Sequence, residues 1–261
     1  MNYSDVITGI GIHKSYGKFE LSIPELHIPK GYATALIGEN GAGKTTLLNI
    51  LAGIRLDAKG DFTYFEKYKG IESDKAVKEK IGYVGPDNYY LPHWNTKQVK
   101  EITSLLFNSF DANRFDLFAR ELALDMEGNM NLPKKVTELS DGNRMKLMLC
   151  GVLARDTEML LLDEPASPLD PLMRDKLCEL IRNYMNEGAG ERSAFFSTHN
   201  VADMEAVTDY AMIMENGTIV EQGFVNELKE KYAHLKEDGK PTLTDISVAV
   251  MKEHTRLRLG M

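Results

Sequence analysis

Residues 32–50 read YATALIGENGAGKTTLLNI, and this stretch decides the fold. The apolar run at 32–37 predicts a strand, and the apolar spacing after Lys44 predicts a helix that ends near Gly53. Between the two lies a glycine-rich turn that fits the phosphate-binding loop pattern, in which a glycine and four free residues precede Gly-Lys-Ser/Thr. The turn reads Gly38-Glu39-Asn40-Gly41-Ala42-Gly43-Lys44-Thr45.

The residue types of this loop suit it to bind a triphosphate. Gly38, Gly41 and Gly43 lack a Cβ atom and tolerate positive φ, so successive backbone N–H groups can converge on phosphate oxygens. The helix that follows directs the positive end of its dipole at the same anion. We expect Lys44 to reach the β- and γ-phosphates and the Thr45 hydroxyl to bind Mg²⁺. The sequence therefore predicts a nucleoside triphosphate site.

The composition narrows the class of protein around this loop. The 261 residues suit one large domain or a domain with a subdomain, and 43% apolar with 27% charged residues is ordinary for a globular protein. The net charge of −8 disfavours nucleic acid as the main partner, because phosphate contacts need clustered cations. Cys150 and Cys178 lie in apolar helical patterns, which predicts buried free thiols in a reducing compartment. We see no signal peptide and no apolar run of about 18 residues, so another chain is expected to supply any membrane-spanning part.

The rest of the chain predicts a mixed α/β domain with a helical insert. Half-exposed antiparallel strands are expected at 7–13 and 19–23, joined by a turn at 14–17, with further strands at 61–65 and 81–84. The segment 95–126 predicts an all-helical insert whose helices begin after Asn95 and Asp111. Strands and helices then alternate. We expect strands at 159–162 and 194–197 and helices at 171–186 and from 201. A hairpin of 210–214 and 218–220 follows, and a tail helix runs from 242 to about 253.

Two carboxylates and a histidine end other predicted strands. Asp163 and Glu164 close the apolar run at 159–162, and in a parallel sheet this places them beside the phosphate loop. Asp163 suits Mg²⁺, and Glu164 suits the general base that polarises the attacking water, although a helix-capping acid pair is the structural alternative. His199 ends the strand AFFST at the same edge, where a catalytic and a purely structural role both remain open.

The run LSDGN at 139–143 precedes an apolar helical pattern. Ser140 is a good N-cap, and an exposed helix start attracts an anion. Alone, this run predicts only the start of a helix.

Together these segments resemble the nucleotide-binding domain of the ATP-binding cassette (ABC) family over nearly the whole chain. The motifs follow in the family's order: the phosphate loop, LSDGN, LLLDEP at 160–165, SPLD at 167–170 and STH at 197–199. The resemblance implies that Tyr16 stacks on adenine and that Lys44, Thr45 and Thr46 hold the phosphates and Mg²⁺. It also implies that Glu164 is the base, that His199 contacts the γ-phosphate and that Asp170 lies at a dimer contact.

The resemblance further implies a second copy or a second nucleotide-binding domain. Ser140, Gly142 and Asn143 would bind the ATP held by that partner, and two domains would enclose two nucleotides head to tail. Such a site supplies anion-binding N–H groups in trans, where phosphate charge develops. Binding and release of the nucleotide would then close and open the pair.

Three residues depart from the family pattern. Asp87 is our candidate for a slot that usually holds glutamine, where a carboxylate still approaches Mg²⁺ or water but lacks the amide's donor. Asp141 replaces a usual glycine in LSDGN and brings a negative charge to an anion site. Asn143 is shorter than the usual glutamine. We nevertheless expect ATPase activity, with the strength of dimer closure as the property most affected.

Aromatic and apolar residues at 89–94 open the insert: Tyr89, Tyr90, Leu91, Pro92 and Trp94. They predict either a docking surface for a membrane partner or the packing of the insert onto the core. In the family, this neighbourhood receives the transmembrane subunit.

These observations define the predicted architecture and function. The fold class is α/β: a P-loop NTPase (RecA-like) core with an antiparallel β subdomain and an α-helical insert. We expect a single domain over 1–261, with a catalytic core at 1–87 and 151–222, a helical subdomain at 88–150 and a helical tail at 223–261. The predicted function is the ATP-hydrolysing subunit of an ABC transporter on the cytoplasmic face, bound to a separate transmembrane permease, with a lean towards export. A soluble ABC ATPase and a nucleotide sensor with little hydrolysis remain the alternatives.

Overall fold

The computed structural model describes residues 4–72, 75–87, 89–124 and 134–259. The strands are β1 (Asp5–Tyr16), β2 (Phe19–Pro29), β3 (Ala33–Ile37), β4 (Lys59–Tyr64), β5 (Tyr68–Lys69), β6 (Ile81–Val84), β7 (Met159–Asp163), β8 (Ser193–Thr198), β9 (Tyr210–Glu215) and β10 (Thr218–Phe224). The α-helices are α1 (Lys44–Leu51), α2 (Lys75–Lys80), α3 (Thr96–Leu106), α4 (Ala112–Glu121), α5 (Asp141–Leu153), α6 (Pro171–Glu187), α7 (Val225–Lys231) and α8 (Leu243–Leu259). The predicted α/β class is confirmed.

A six-stranded sheet in the order β10-β9-β3-β8-β7-β6 forms the centre of the molecule. Its neighbouring strands are parallel from β9 to β6, and β10 joins as an antiparallel edge strand. Both faces of this sheet are covered, so its inner strands are mainly apolar, and every residue of β3 and β7 is buried.

The two faces of this sheet belong to two separate apolar cores. Successive side chains of a strand point to opposite faces, so Phe195 packs with α1 and the β subdomain while Phe196 packs with the helical side. Both rings are fully buried, and each contributes roughly 1.5–3 kcal/mol of transfer free energy. The sheet is therefore held rigidly, and with it the loops that follow its strands.

A smaller antiparallel sheet, β2-β1-β4-β5, forms the predicted β subdomain. β1 and β2 are longer than expected, because their register runs continuously to the pair Tyr16 and Phe19. The turn predicted at 14–17 is therefore wrong: it consists of Gly17 and Lys18, where Gly17 has the positive φ of 56° that a tight hairpin requires.

The helical insert contains α3, α4 and α5. Asn95 and Gln98 form the predicted capping box of α3, with reciprocal backbone hydrogen bonds of 2.9 and 3.0 Å. Asp111 caps α4 as predicted, accepting from the Asn113 amide at 2.7 Å. Part of the predicted insert, at 88 and 125–133, lies outside the described residues. The predicted division into core, insert and tail stays a prediction.

The helix predicted from residue 201 is wrong. The segment forms two 3₁₀ turns, Val201–Asp203 and Glu205–Val207. A spacing of three places Val201, Met204 and Val207 on one face, and all three are buried. Side chains of α6 take backbone carbonyls that an α-helix would use: Cys178 Sγ donates to Asp203 O and Arg182 to Ala206 O.

The chain ends in a hairpin and a tail. The predicted Asn-Gly hairpin joins β9 and β10, although β10 continues to Phe224, and the short helix α7 lies within the helical tail predicted at 223–261. Thr242 and Asp245 cap the tail helix α8 reciprocally, as predicted, and α8 ends beyond the expected residue. Both cysteines are free and buried, as predicted. Across the described ranges, no helix has the length and apolar character needed to cross a membrane.

Candidate functional site

Three parallel strands end together and bring the predicted motifs to one edge of the sheet. In the register of β3, β8 and β7, Ile37 lies beside Thr198, and Ser197 lies beside Asp163. The residues that follow, Gly38, His199 and Glu164, therefore project from neighbouring strand ends.

The phosphate loop needs its glycines for two different reasons. Gly41 and Gly43 have φ of 87° and 110°, in the left-handed region that favours glycine. Gly38 does not have a positive φ. A Cβ atom there would lie 2.5 Å from the Met214 carbonyl oxygen, so only glycine fits beside β9.

Lys44 lies at the centre of the site and is 5% exposed. Its ammonium donates to the carbonyl oxygens of Gly38 at 2.7 Å and Glu39 at 3.2 Å. It also lies 3.2 Å from Glu164 Oε1, which is an ionic contact with the predicted base. The loop thus holds its lysine in place from within the same chain.

Glu164 and His199 form a direct pair. His199 Nδ1 lies 2.7 Å from Glu164 Oε2, and the histidine ring is 43% exposed. Glu164 has a positive φ of 51°, which a non-glycine residue adopts only when its surroundings hold it. The backbone amide of Glu164 donates to Ser197 Oγ at 2.9 Å, and this bond helps to hold that conformation.

Ser197 was not predicted as a site residue. Its hydroxyl donates to Asp163 Oδ1 while accepting from the Glu164 amide, so one side chain orients both acids. The sequence signal was its position two residues before His199, near the end of the strand that His199 follows.

Asp163 is fully buried at this edge. Burial raises the pKa of its carboxyl above the ordinary value, and hydrogen bonds from Ser197 and Thr45 oppose that shift. Asp163 Oδ2 is buried without a hydrogen-bond partner among the described residues. A buried, unpaired carboxylate oxygen beside a threonine hydroxyl fits a hard cation that prefers oxygen ligands, so the residues present suit Mg²⁺. Within the described residues, no cluster of three or more His, Cys, Asp or Glu side chains suits a metal.

A cavity of about 420 Å³ opens over the loop. Lys14 Nζ and Arg55 Cζ lie 5.0 and 5.3 Å from the centre of the Tyr16 ring, which makes the ring part of a cationic rim. Phe19, which was not predicted, also lines the cavity. The lining consists of Tyr16, Phe19, Asn40, Gly41, Gly43, Lys44, Thr45, Thr46 and Glu164.

The LSDGN run lies at an exposed helix start. Ser140 caps α5, as predicted, and accepts from the Asn143 amide at 3.2 Å. Asp141 pairs with Arg144, whose second nitrogen donates to the Leu139 carbonyl at 2.9 Å. Gly142 is required by packing, since a Cβ atom would lie 2.8 Å from the Pro168 carbonyl oxygen. Ser140 lies outside the lining of the phosphate cavity of its own chain.

The remaining predicted residues lie at the periphery. Asp87 is exposed and lies outside the lining of the cavity. Asp170 is exposed and caps α6, accepting from the Met173 amide at 3.1 Å. The predicted roles of both residues stay predictions.

Comparison with known protein sequences identifies the family. The family described as "ABC transporter" matches residues 21–167, which is more than half of the chain. An uncharacterized ABC transporter ATP-binding protein of Synechocystis is 31% identical over 205 residues, covering 77% of this chain and 55% of that protein. An energy-coupling factor transporter ATP-binding protein of Latilactobacillus sakei is 30% identical over 242 residues, covering 87% of this chain and 80% of that protein. The thiamine import ATP-binding protein of Photorhabdus laumondii is 28% identical over 207 residues, covering 78% of this chain and 85% of that protein.

Solved structures share the fold. An ATP-binding subunit of an ABC transporter has a TM-score of 0.79 at 19% identity and covers 94% of this chain and 99% of its own. A dimeric, post-hydrolysis ATP-binding cassette bound to ADP and Pi has a TM-score of 0.70 at 19% identity, covering 84% and 98%. With the strand-end motifs in place and the sequence match extending over most of the chain, the protein belongs to the ABC transporter family, as an ATP-binding subunit.

Proposed function

We propose that this chain hydrolyses ATP on the cytoplasmic face of a membrane and that it drives a separate transmembrane subunit. The observation that carries the proposal is the single strand edge where Lys44, Asp163, Glu164 and His199 meet. Each step from nucleotide to membrane then rests on its own geometry.

ATP binds in the cavity over the phosphate loop. Backbone N–H groups of the loop and of the first turn of α1 bind the phosphates, and Thr46 lies with them in the cavity lining. An incoming phosphate competes with the Gly38 and Glu39 carbonyls for the Lys44 ammonium. Thr45 and Asp163 would hold Mg²⁺, and the bound ion would supply neutralisation of the phosphate charge. Tyr16 stacks on the base at the rim.

Glu164 acts as the general base. Its carboxylate accepts the proton of the attacking water, and His199 keeps the carboxylate oriented through their 2.7 Å contact. The Lys44 ammonium lies 3.2 Å from the other carboxylate oxygen, so both oxygens of Glu164 have a partner within the chain. When Lys44 moves to a phosphate, His199 remains as the partner that orients Glu164.

A second copy completes the site. Ser140 is exposed and lies outside the phosphate cavity of its own chain, so its helix start is available to the nucleotide of a partner. Gly142 and Asn143 lie in the first turn of α5, and we assign Asp170, the exposed N-cap of α6, to the dimer contact. The dimeric cassette of similar fold supports this arrangement.

The transmembrane subunit docks in an apolar groove of about 450 Å³ between the insert and the core. The aromatic run at its edge serves both predicted purposes: Tyr90 is buried, while Tyr89 and Leu91 are 47% and 46% exposed. Tyr83 lines the groove and donates through its hydroxyl to Asn49 Oδ1 of α1 at 2.8 Å. The groove is thus connected to the helix that follows the phosphate loop.

The direction of transport is left open in this proposal. The predicted lean towards export has no support among the comparisons, in which one relative is named for thiamine import and another for energy-coupling factor transport. The nucleotide chemistry at the strand edge is the same for either direction.

The decisive experiment is the variant Glu164→Gln. It keeps the size of the side chain and a hydrogen bond to His199 but removes the base, so phosphate release at saturating ATP should fall about 100- to 1,000-fold while ATP still binds. Light scattering of this variant with ATP should show a dimer, because the closed state is no longer lost to hydrolysis. Glu25→Gln, at an exposed position of β2, is the control and should leave both readouts unchanged.

Three outcomes contradict parts of the proposal. A wild-type rate at background assigns the chain to the nucleotide-sensing alternative. A monomer in Glu164→Gln with ATP removes the trans role of Ser140.

The docking groove is tested by crosslinking. Leu91→Cys should crosslink to a polytopic membrane protein, whereas Leu257→Cys, on the exposed tail, should not. Co-purification with ribosomes or DNA instead favours a soluble ABC ATPase.

A further inference from the structure

The carboxylate of Glu215, at the end of β9, is held by the tail helix. It lies 2.8 Å from His254 Nδ1 and accepts from Thr255 Oγ1 at 2.9 Å. Asn216 Nδ2 donates to the same carboxylate at 3.1 Å. The tail itself is firmly seated, because Leu243, Ile246 and Val250 are buried in the main core. Glu215 is therefore fixed from an element that lies outside the site.

The turn that follows Glu215 is wedged against the phosphate loop. Asn216 and Gly217 have φ of 47° and 80°, and the Gly217 amide donates to the Ala42 carbonyl at 2.8 Å. On the other side, the Gly217 carbonyl accepts from the Ser22 amide at 2.9 Å. The fit admits only glycine, since a Cβ atom on Gly217 would lie 1.9 Å from the Glu20 carbonyl oxygen.

We propose that Glu215 is a positioning residue for ATP binding, through which His254 and Thr255 of the tail fix the turn that holds the phosphate loop at Ala42. The inference rests on the proposed binding of ATP at this loop. Ala42 lies between Gly41 and Gly43, the two residues with the freest backbone in the loop. A fixed hydrogen bond at Ala42 restricts that freedom before the nucleotide arrives, and this lowers the ordering cost of binding.

The proposal predicts an effect on binding more than on chemistry. The turn contacts the loop and β2, whereas Glu164 and His199 follow β7 and β8 and are held by Ser197 and by each other. Loosening the turn therefore disturbs the N–H groups that bind phosphate and leaves the base in place. A tail that served only the stability of the fold would change neither KM nor kcat at a temperature where the protein is folded.

The test compares variants on the two sides of the tail. Thr255→Val removes one donor to Glu215, and His254→Ala with Thr255→Val removes both. Lys236→Ala is the control, because it breaks the 3.0 Å tail ion pair with Asp245 away from the turn. The double variant should raise KM for MgATP about three- to tenfold with kcat within about twofold of wild type, which is the range expected for lost hydrogen bonds of ordinary strength. Thr255→Val should give a smaller rise in KM, and Lys236→Ala none.

Amide exchange followed by NMR supplies a readout that does not depend on activity. The Gly217 amide should exchange about tenfold faster in the double variant and at the wild-type rate in Lys236→Ala, as expected if local opening at the turn becomes easier. If KM and the exchange rate of the Gly217 amide are unchanged in Thr255→Val and in the double variant, the inference is overturned and the proposed function stays intact. A wild-type protein that fails to bind ATP overturns the proposed function, and this inference with it.

Discussion

Two helix starts in this molecule are suited to anions, and they are built differently. α1 has Gly43 as its N-cap, and within the described structure it has neither a side-chain cap nor an acid in its first turn. α5 has Ser140 as its N-cap, whose hydroxyl accepts from the Asn143 amide, and carries Asp141 in its first turn. The first N–H groups of α1 are therefore left for a ligand, whereas in α5 the Ser140 hydroxyl already accepts from one of them.

The surroundings of the two helix starts also differ in how well they suit a ligand. The α1 start lies in a cavity with Lys44 nearly buried and with Asp163 and Glu164 beside it. The α5 start is exposed, and its acid is paired with Arg144. We infer that the first site binds ATP alone, and that the second contributes only when another chain brings the nucleotide to it. On this inference, changes at α1 should alter ATP binding by the monomer, and changes at α5 should alter dimer formation.

Removing the charge of the first site should have the largest effect. Lys44→Ala should weaken ATP binding about 30- to 100-fold, because a charge-assisted contact to the phosphates is lost. Titration with a fluorescent ATP analogue measures the change. Lys18→Ala, at an exposed lysine on the β1–β2 turn, is the matched control and should bind as wild type does. Equal affinities for Lys44→Ala and wild type would place the nucleotide elsewhere.

Asp163, the buried acid of the first site, should lower the stability of the folded protein, although it belongs to the proposed Mg²⁺ site. Asp163→Asn should raise Tm at pH 7.5 by about 2–4 °C, the shift expected for about 1 kcal/mol in a protein of this size, because a buried charge is removed. Burial raises the pKa of Asp163, so the charged form is disfavoured in the folded state. The gain in Tm is therefore fully present above the raised pKa and disappears as pH falls through it towards the ordinary aspartate pKa of 3.8.

Thermal unfolding followed across this pH range tests the idea. Asp156→Asn is the control, because Asp156 is exposed and pairs with Arg192, so its loss should not raise Tm. A Tm of Asp163→Asn below that of wild type at neutral pH would show that the buried carboxylate is stabilised in place and does not lower the stability of the fold.

The first site was more predictable from sequence than the contacts around it. The loop, Asp163, Glu164 and His199 each follow a short apolar strand, and a parallel sheet necessarily aligns such ends. The bounds of β6 were predicted correctly because a glycine-proline break follows it. The predictions that were wrong or missing depend on contacts between segments far apart in sequence. The two 3₁₀ turns after residue 200 are bonded by side chains of α6. Ser197 contacts Asp163 only because β7 and β8 are neighbours in the sheet. The Asn-Gly signal predicted a hairpin but not the contact of its tip with Ala42.

The second site should respond to the loss of its own acid, with the smallest effect of the three. Asp141→Asn removes a negative charge from the anion-facing turn and releases Arg144 as an unpaired cation. In a Glu164→Gln background, the ATP concentration that gives half-maximal dimer should fall about two- to fivefold, the range of a single charge at a helix start. The same change should lower Tm slightly, because an acid in the first turn stabilises its helix.

These opposite signs separate the second site from the first. If Asp141 acted only on the stability of α5, Asp141→Asn would weaken the dimer and lower Tm together; if it acted on the first site, it would change ATP binding by the monomer. Asp116→Asn is the control, because Asp116 pairs with Lys100 on α3 and belongs to neither helix start. Stronger closure with unchanged binding by the monomer is the combination expected if the α5 start acts on a nucleotide presented by the partner chain, as proposed.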